Sequence, residues 1–305
     1  MKVSIIGMGN VGSTLAYTLM LKGLASELIL VNRTKSKAQG DAYDLIHAQS
    51  FTDTIIPIKA GDIEDTIGSD VIVLTHSVPY QESFKNRMDL LPGNMQLFAD
   101  TVPELARLSP NGIFLVVTNP VDVLTYGVYK LSGFAPSKVL GIGTLIDSAR
   151  FRSELSQRMG IAPDDIRAYI FGEHGDSQFP ATSLASAGGE RINDEELCKE
   201  LLEESVILGH KIMKAKGYTN YAIAMATSLV VEVIYRNSHR TMPIATYIDD
   251  YLGIKDNCFS IPVVVGREGI LRIQKPNLSD EEVNKFQHSA SIIQQGIDKI
   301  KHYWE

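Results

Sequence analysis

The run Gly7-Met8-Gly9-Asn10-Val11-Gly12 constrains this 305-residue chain more than any other segment. It follows the apolar stretch Val3–Gly7, which reads as a buried strand, and it opens Asn10–Lys22, which reads as a helix. A G-x-G-x-x-G between strand and helix asks for one backbone geometry. Gly7 makes the tight turn, Gly9 lets an anionic pyrophosphate approach the main chain, and Gly12 permits close helix–strand packing. The helix N-terminus then favours the phosphates. Asn10 and Val11 complete the expected dinucleotide cradle.

The same alternation continues downstream. Strands are expected at Glu27–Val31, Ile55–Lys59, Val71–Thr75, Ile113–Thr118 and Lys138–Gly141, with helices at Lys35–Gln49, Pro92–Leu108 and Asp122–Leu131. Strands alternating with helices of this length predict an α/β fold, a doubly wound parallel sheet with helices on both faces. After about residue 143 the pattern changes. Long helices are expected at Leu145–Met159, Asp194–Lys216 and Tyr221–Tyr235, strand-like runs at Ile244–Tyr251 and Phe259–Val265, and a closing helix over Asp280–Lys301. We therefore expect a dinucleotide-binding domain over 1–142 and an α/β (α+β) substrate domain over 143–305, with the site between them.

Charge and cysteine content narrow the function classes. A formal charge of −7 argues against sequence-independent nucleic-acid binding, which wants a basic face. Cys198 and Cys258 lie far apart and outside any metal-ligand spacing, so neither a disulfide scaffold nor a metal site is expected. No run of about 18 apolar residues exists to span a membrane. Met1–Gly7 lacks the pattern of a secretory signal, so a cytoplasmic location is expected.

Cofactor choice is less direct. An acidic residue is expected at the end of the second strand to bind a ribose 2′-hydroxyl. Asn32 stands there instead, followed by Arg33 and Thr34. An amide, a guanidinium and a hydroxyl can all donate to a 2′-phosphate, which a carboxylate would repel. The run resembles the 2′-phosphate loop of NADP-using shikimate dehydrogenases. NADP or dual use is expected; the alternative is NAD, with Arg33 stacking on adenine or facing solvent.

The second half carries Asp147-Ser148-Ala149-Arg150 and Gly172-Glu173-His174-Gly175-Asp176-Ser177: a base, a carboxylate to orient it and a cationic anchor. With Thr118-Asn119-Pro120-Val121-Asp122, Gly143–Arg152 and Lys216–Tyr221, these motifs are similar, over nearly the whole chain, to the L-lactate/malate dehydrogenase family. The likeness is to its lactate and L-2-hydroxyisocaproate branch. That resemblance implies a Rossmann domain followed by an α/β substrate domain, a dimer or tetramer, and hydride transfer to a small 2-keto monocarboxylic acid. It implies His174 as acid/base, Asp147 as its orienting carboxylate and Arg150 as the clamp on the substrate carboxylate. Asn119 would hydrogen-bond near the substrate carbonyl and nicotinamide. Thr75, Asn94 and Thr118 would belong to the cofactor site, and Thr219 to the substrate wall.

Arg87 matches the family's mobile-loop arginine, yet the stretch from Thr75 to Leu90 is one residue longer than usual and lacks the family's glycines. Anchoring on Arg87 places Gln81 where the substrate's third carbon is read. A neutral Gln81 disfavours a second carboxylate, and a neighbouring Glu82 would repel one. Gly209 would leave room for a bulkier substrate. Pyruvate/lactate is thus expected first, a longer or branched 2-keto acid second, and oxaloacetate/malate third. Arg152 and Arg167 match positions where bacterial relatives bind fructose 1,6-bisphosphate, with interface ion pairing the alternative. An NAD-dependent glycosidase would need a cysteine–histidine metal motif that neither cysteine supplies. A non-enzymatic descendant would tolerate loss of His174, Asp147, Arg87 or Arg150, and all four are present.

Overall fold

The computed structural model describes residues 1–81, 84 and 86–305. Six parallel strands form the first part of the large sheet: β1 (Lys2–Ile6), β2 (Glu27–Val31), β3 (Ile58–Gly61), β4 (Val71–Leu74), β5 (Ile113–Val116) and β6 (Val139–Gly141). Helices α1 (Asn10–Lys22), α2 (Lys35–Ala48), α3 (Leu91–Leu108) and α4 (Val121–Ser132) connect them. Their order across the sheet is β3-β2-β1-β4-β5-β6. Every residue of β4 and β5 is buried, which is why Val-Ile-Val-Leu and Ile-Phe-Leu-Val read as unbroken apolar runs.

The strand order reverses between β1 and β4, and ligands of such sheets sit at that switch point, beyond the carboxyl ends of the strands. The loops leaving β1 and β4 touch there. A Cβ on Gly7 would stand 2.4 Å from the His76 nitrogen, and one on Gly12 would stand 2.0 Å from the Gly7 carbonyl oxygen. Only glycine permits this crossing, and Gly7 also has φ +109°.

The second part begins with α5 (Leu145–Met159). Five short strands follow: β7 (Ile166–Arg167), β8 (Ile170–Phe171), β9 (Phe179–Pro180), β10 (Ser186–Ala187) and β11 (Glu190–Arg191). Then come α6 (Glu195–Lys216), α7 (Tyr221–Arg236), β12 (Arg240–Ile248), β13 (Asn257–Gly266), β14 (Gly269–Ile273) and α8 (Asp280–Ile300). The sheet does not stop at β6. β12 joins β6 antiparallel through Ala245 and Gly141, and β13 and β14 extend it to nine strands. The two parts thus share one sheet. At the junction a Cβ on Gly141 would lie 2.9 Å from that of Ala245, so the crossing depends on small residues.

Some boundaries move. The strand expected from Ile55 starts at Ile58, because Ile55 is 79% exposed and lies outside the sheet. β12 starts at Arg240, four residues before the expected Ile244, because its pairing with β13 carries past the apolar stretch. β14, half exposed, was not anticipated.

Candidate active site

Four loops from the carboxyl ends of β1, β4, β5 and β6 meet above the sheet. On the cofactor side, Gly9 takes the N-cap position of α1 without any side-chain cap, and no acid occupies the first turn. Its free N–H groups and positive dipole end face an open space, for a Cβ on Gly9 would meet nothing among the described residues within 4 Å. Thr75 braces this loop, its Oγ1 donating to the Gly7 carbonyl at 2.7 Å. Thr118 donates to the His76 carbonyl at 2.9 Å, joining the β4 and β5 loops. An uncapped helix terminus behind a crossing of glycines fits a dinucleotide pyrophosphate.

Asn32 lies at the end of β2, but its amide is engaged. Its Oδ1 accepts from the Met8 N–H at 3.1 Å, and its Nδ2 donates to the Thr34 carbonyl at 3.1 Å. Asn32 therefore braces the glycine loop with its oxygen and with one of its two amide hydrogens. Arg33 and Thr34 remain exposed, and the Thr34 side chain makes no cap bond to α2.

Asp147 organises the chemical side. It sits in the first turn of α5, where the helix dipole favours a carboxylate, and it is buried. Its Oδ2 meets Nδ1 of His174, and its Oδ1 accepts from Nη1 of Arg150 at 3.4 Å. Burial alone would raise the Asp147 carboxyl. The charges of His174, Arg150 and Arg87 outweigh it and hold the carboxyl below the ordinary range. One buried anion thus orients both an imidazole and a guanidinium.

Main-chain anchors fix the His174 loop. Gly172, at φ +88°, pairs with Ser260 of β13, and a Cβ there would stand 2.5 Å from Ser289 Oγ. The Glu173 N–H donates to Ser289 Oγ at 2.7 Å, and the His174 N–H donates to Asp122 Oδ2 at 2.7 Å. Arg87 lies over the same loop, its Nη1 donating to the His174 carbonyl at 2.8 Å.

Family models for the lactate/malate dehydrogenase NAD-binding domain and for its alpha/beta C-terminal domain match residues 1–141 and 144–303. The chain belongs to the lactate/malate dehydrogenase family. It is 40% identical to the L-lactate dehydrogenase of Thermoanaerobacterium saccharolyticum, over 98% of this chain and 99% of that one. It is 39% identical to that of Clostridium perfringens, over 96% and 95%. Among solved structures it resembles a lactate dehydrogenase from a Medee basin deep-sea metagenome library, with a TM-score of 0.93, 33% identity and 98% coverage of both chains. The minor L-lactate dehydrogenase of Enterococcus mundtii superposes with a TM-score of 0.93 at 30% identity and the same coverage.

Asn119 follows β5 with its Oδ1 buried and without a hydrogen-bond partner among the described residues. Asn94 is fully buried. It accepts from the Val78 N–H at 2.7 Å and donates to the Asn119 carbonyl at 2.7 Å, so it links the base of the long loop to Asn119. Gln81 is exposed on that loop, and Glu82 lies outside the described residues. Gly209 of α6 faces the clamp, since a Cβ there would come 3.7 Å from Arg150 Nη1. Thr219 is half-buried in the α6–α7 connection. Arg152 and Arg167 lie close enough to interact, and Arg240 joins them; burial, then these two neighbouring cations, lowers the Arg152 guanidinium.

Sequence reasoning missed Asp122. Its side chain is buried, its Oδ1 has no hydrogen-bond partner among the described residues, and burial pushes its carboxyl up to about 8, with Glu173 and Asp147 adding to the rise. The signal was present: an acid one residue into a helix, ending the Thr118–Asp122 motif. What it holds is His174, 52 residues away.

Proposed function

We propose that this protein is a cytoplasmic NAD(P)-dependent L-2-hydroxy acid dehydrogenase that interconverts pyruvate and L-lactate. The observation that carries the reading is the double use of Asp147, which holds His174 on one oxygen and Arg150 on the other. The names of relatives near 40% identity support the substrate class. When bound, the nicotinamide supplies or accepts the hydride at the substrate's second carbon.

The chain's own residues do the rest. Arg150 grips the substrate carboxylate through its fork, which suits two oxygens. With Nδ1 directed at Asp147, Nε2 of His174 gives its proton to the keto oxygen as that oxygen gains charge, yielding the 2-hydroxy acid; the reverse reaction returns the proton there. Asp147 stays ionised and stabilises the imidazolium. Asn119 supplies a polar contact beside the reacting carbon. Arg87 leaves the His174 carbonyl and polarises the keto oxygen as the loop closes.

Gln81 carries no charge for a second carboxylate, which places malate last. The space that Gly209 leaves over Arg150 favours a longer 2-keto acid as the second reading. For the cofactor, the Asn32 amide, Arg33 and the Thr34 hydroxyl are the groups that would take a 2′-phosphate. The Arg152, Arg167 and Arg240 cluster would bind an effector with two phosphates, such as fructose 1,6-bisphosphate, which would relieve its mutual repulsion. Exposed Tyr17 and Leu21 on α1, with Tyr221 and Met225 on α7, offer apolar surface that a second copy would cover in a homo-oligomer.

The test is kcat/KM for pyruvate, 2-ketoisocaproate and oxaloacetate, each with NADH and NADPH. Pyruvate should lead. Ketoisocaproate leading would transfer the assignment to the second reading, and no turnover with any pair would overturn it. Adding the bisphosphate at millimolar concentration should raise the rate, and an unchanged rate removes the effector.

A further inference from the structure

Asn220 stands at the N-cap of α7 and is almost fully buried. Asparagine there ordinarily turns its side chain onto the first N–H groups of its own helix. This one makes no such bond. Its Nδ2 donates instead to Thr14 Oγ1 of α1 at 2.8 Å, and its Oδ1 accepts from Lys216 Nζ at 2.5 Å. The Thr14 hydroxyl spends its own hydrogen on the Asn10 carbonyl, at 2.6 Å. Lys216 is held in turn over the Tyr221 ring, 3.8 Å from its centre, and faces Tyr218 at 4.8 Å.

The donors therefore run in one direction: Lys216 to Asn220, Asn220 to Thr14, Thr14 to Asn10. The chain starts at the last residue of α6 and ends on the main chain of the glycine fingerprint, beside the open face of Gly9. Thr219 lies inside the span it closes.

We infer that Asn220 is a positioning residue which, through Thr14, fastens the Thr219 wall to the helix that opens the dinucleotide cradle, so that cofactor binding orders the substrate pocket. This rests on the function proposed above and on the family resemblance, which assigns Thr219 to the substrate wall. A group bound at Gly9 fixes the Asn10 carbonyl, that carbonyl fixes the Thr14 hydroxyl, and the hydroxyl fixes Asn220. By linkage, an ordered Thr219 wall strengthens cofactor binding to the same degree.

The test compares Thr14→Val, which removes the acceptor at nearly constant shape, with Thr14→Ser, which keeps it, alongside Asn220→Ala and the Thr14→Val/Asn220→Ala double variant. Hydrogen exchange over 216–226 with and without NADH is the direct readout. In the unmodified protein NADH should protect these amides, and Thr14→Val and Asn220→Ala should each abolish that protection. Both should raise KM for pyruvate roughly 5- to 10-fold while kcat changes less than about twofold, in the usual range for coupled sites. The double variant should be no worse than either single one, and Thr14→Ser should behave as the unmodified protein. Additive losses, protection that survives Thr14→Val, or no NADH protection in the unmodified protein would each overturn the inference. If the unmodified protein reduces no 2-keto acid, the function above fails, while the NADH-dependent exchange still decides the strut.

Discussion

The two ends of the cleft are built from different materials. The cofactor cradle is main chain: a glycine crossing, an uncapped helix terminus, and side chains such as Thr75 and Asn32 that brace the loop from behind. The chemical end is side chain: a buried aspartate between an imidazole and a guanidinium, with a second buried aspartate beneath. A backbone cradle fails when volume is added to it. A buried charge cluster fails when a proton or a charge is removed. The variants that follow separate these two modes of failure.

The largest effect belongs to His174→Asn. The amide can still bond to Asp147, but it cannot deliver a proton, so kcat should fall by about 10²–10⁴-fold. NADH affinity, measured by fluorescence titration, should stay within about twofold, because no part of the backbone cradle has changed. Loss of NADH binding together with rate would break the comparison, since the two ends would then share one failure.

Volume at the other end should do the converse. An alanine at position 12 brings its Cβ to 2.0 Å from the Gly7 carbonyl oxygen, so Gly12→Ala must shift main chain. We expect a penalty of about 1–3 kcal/mol, seen both in Tm and as weaker NADH binding. Gly9→Ala sharpens the contrast. Its Cβ meets no protein atom within 4 Å, so Tm should hold while NADH binding weakens. Unchanged NADH affinity in Gly9→Ala would mean that the open face of Gly9 is not where the pyrophosphate sits.

Asp122 tests charge without volume. Folded, it keeps its proton up to about 8; unfolded, it releases it near the ordinary 3.8. Between those values the folded state holds the extra proton, so stability is lost as pH rises through that window. Asp122→Asn cannot ionise, and should gain on the order of 2 kcal/mol relative to the unmodified protein between pH 5 and pH 9. Urea midpoints at pH 5, 7 and 9 give the difference. His76 works in the opposite direction, since burial lowers it to about 4 and acid therefore unfolds it, but it is common to both proteins and cancels. Parallel curves would show that Asp122 is ionised in the fold and stabilised by its surroundings.

How much of this was legible in sequence follows the same division. Backbone features have local signatures. The helices Asn10–Lys22 and Leu145–Met159 lie where the sequence pattern puts them, and the glycine fingerprint marks the switch point. Asp147 and Arg150, three residues apart, are visibly on one helical face. Contacts between distant segments have no such signature. Nothing near Gly141 announces that β12 will pair with it, and nothing near Asp122 announces His174. Asn32 is the clearest case: its type and position suggest a ligand donor, while its amide oxygen is bonded across the fold to Met8.

Asn32 carries the smallest effect and the finest test of the comparison. Asn32→Asp keeps an oxygen to accept the Met8 N–H, so the brace on the glycine loop should survive. It loses the donor to the Thr34 carbonyl and adds a negative charge at the edge of the cradle. Volume is nearly unchanged, so Tm should hold. Charge is changed, so the ratio of kcat/KM with NADPH to that with NADH should fall about tenfold, roughly 1.4 kcal/mol, through repulsion of the 2′-phosphate. An unchanged ratio would leave Arg33 and Thr34 as the readers of that phosphate. A fall in both cofactors alike would instead show that Asn32 acts only as a brace, and that even the edge of this cradle is governed by backbone shape.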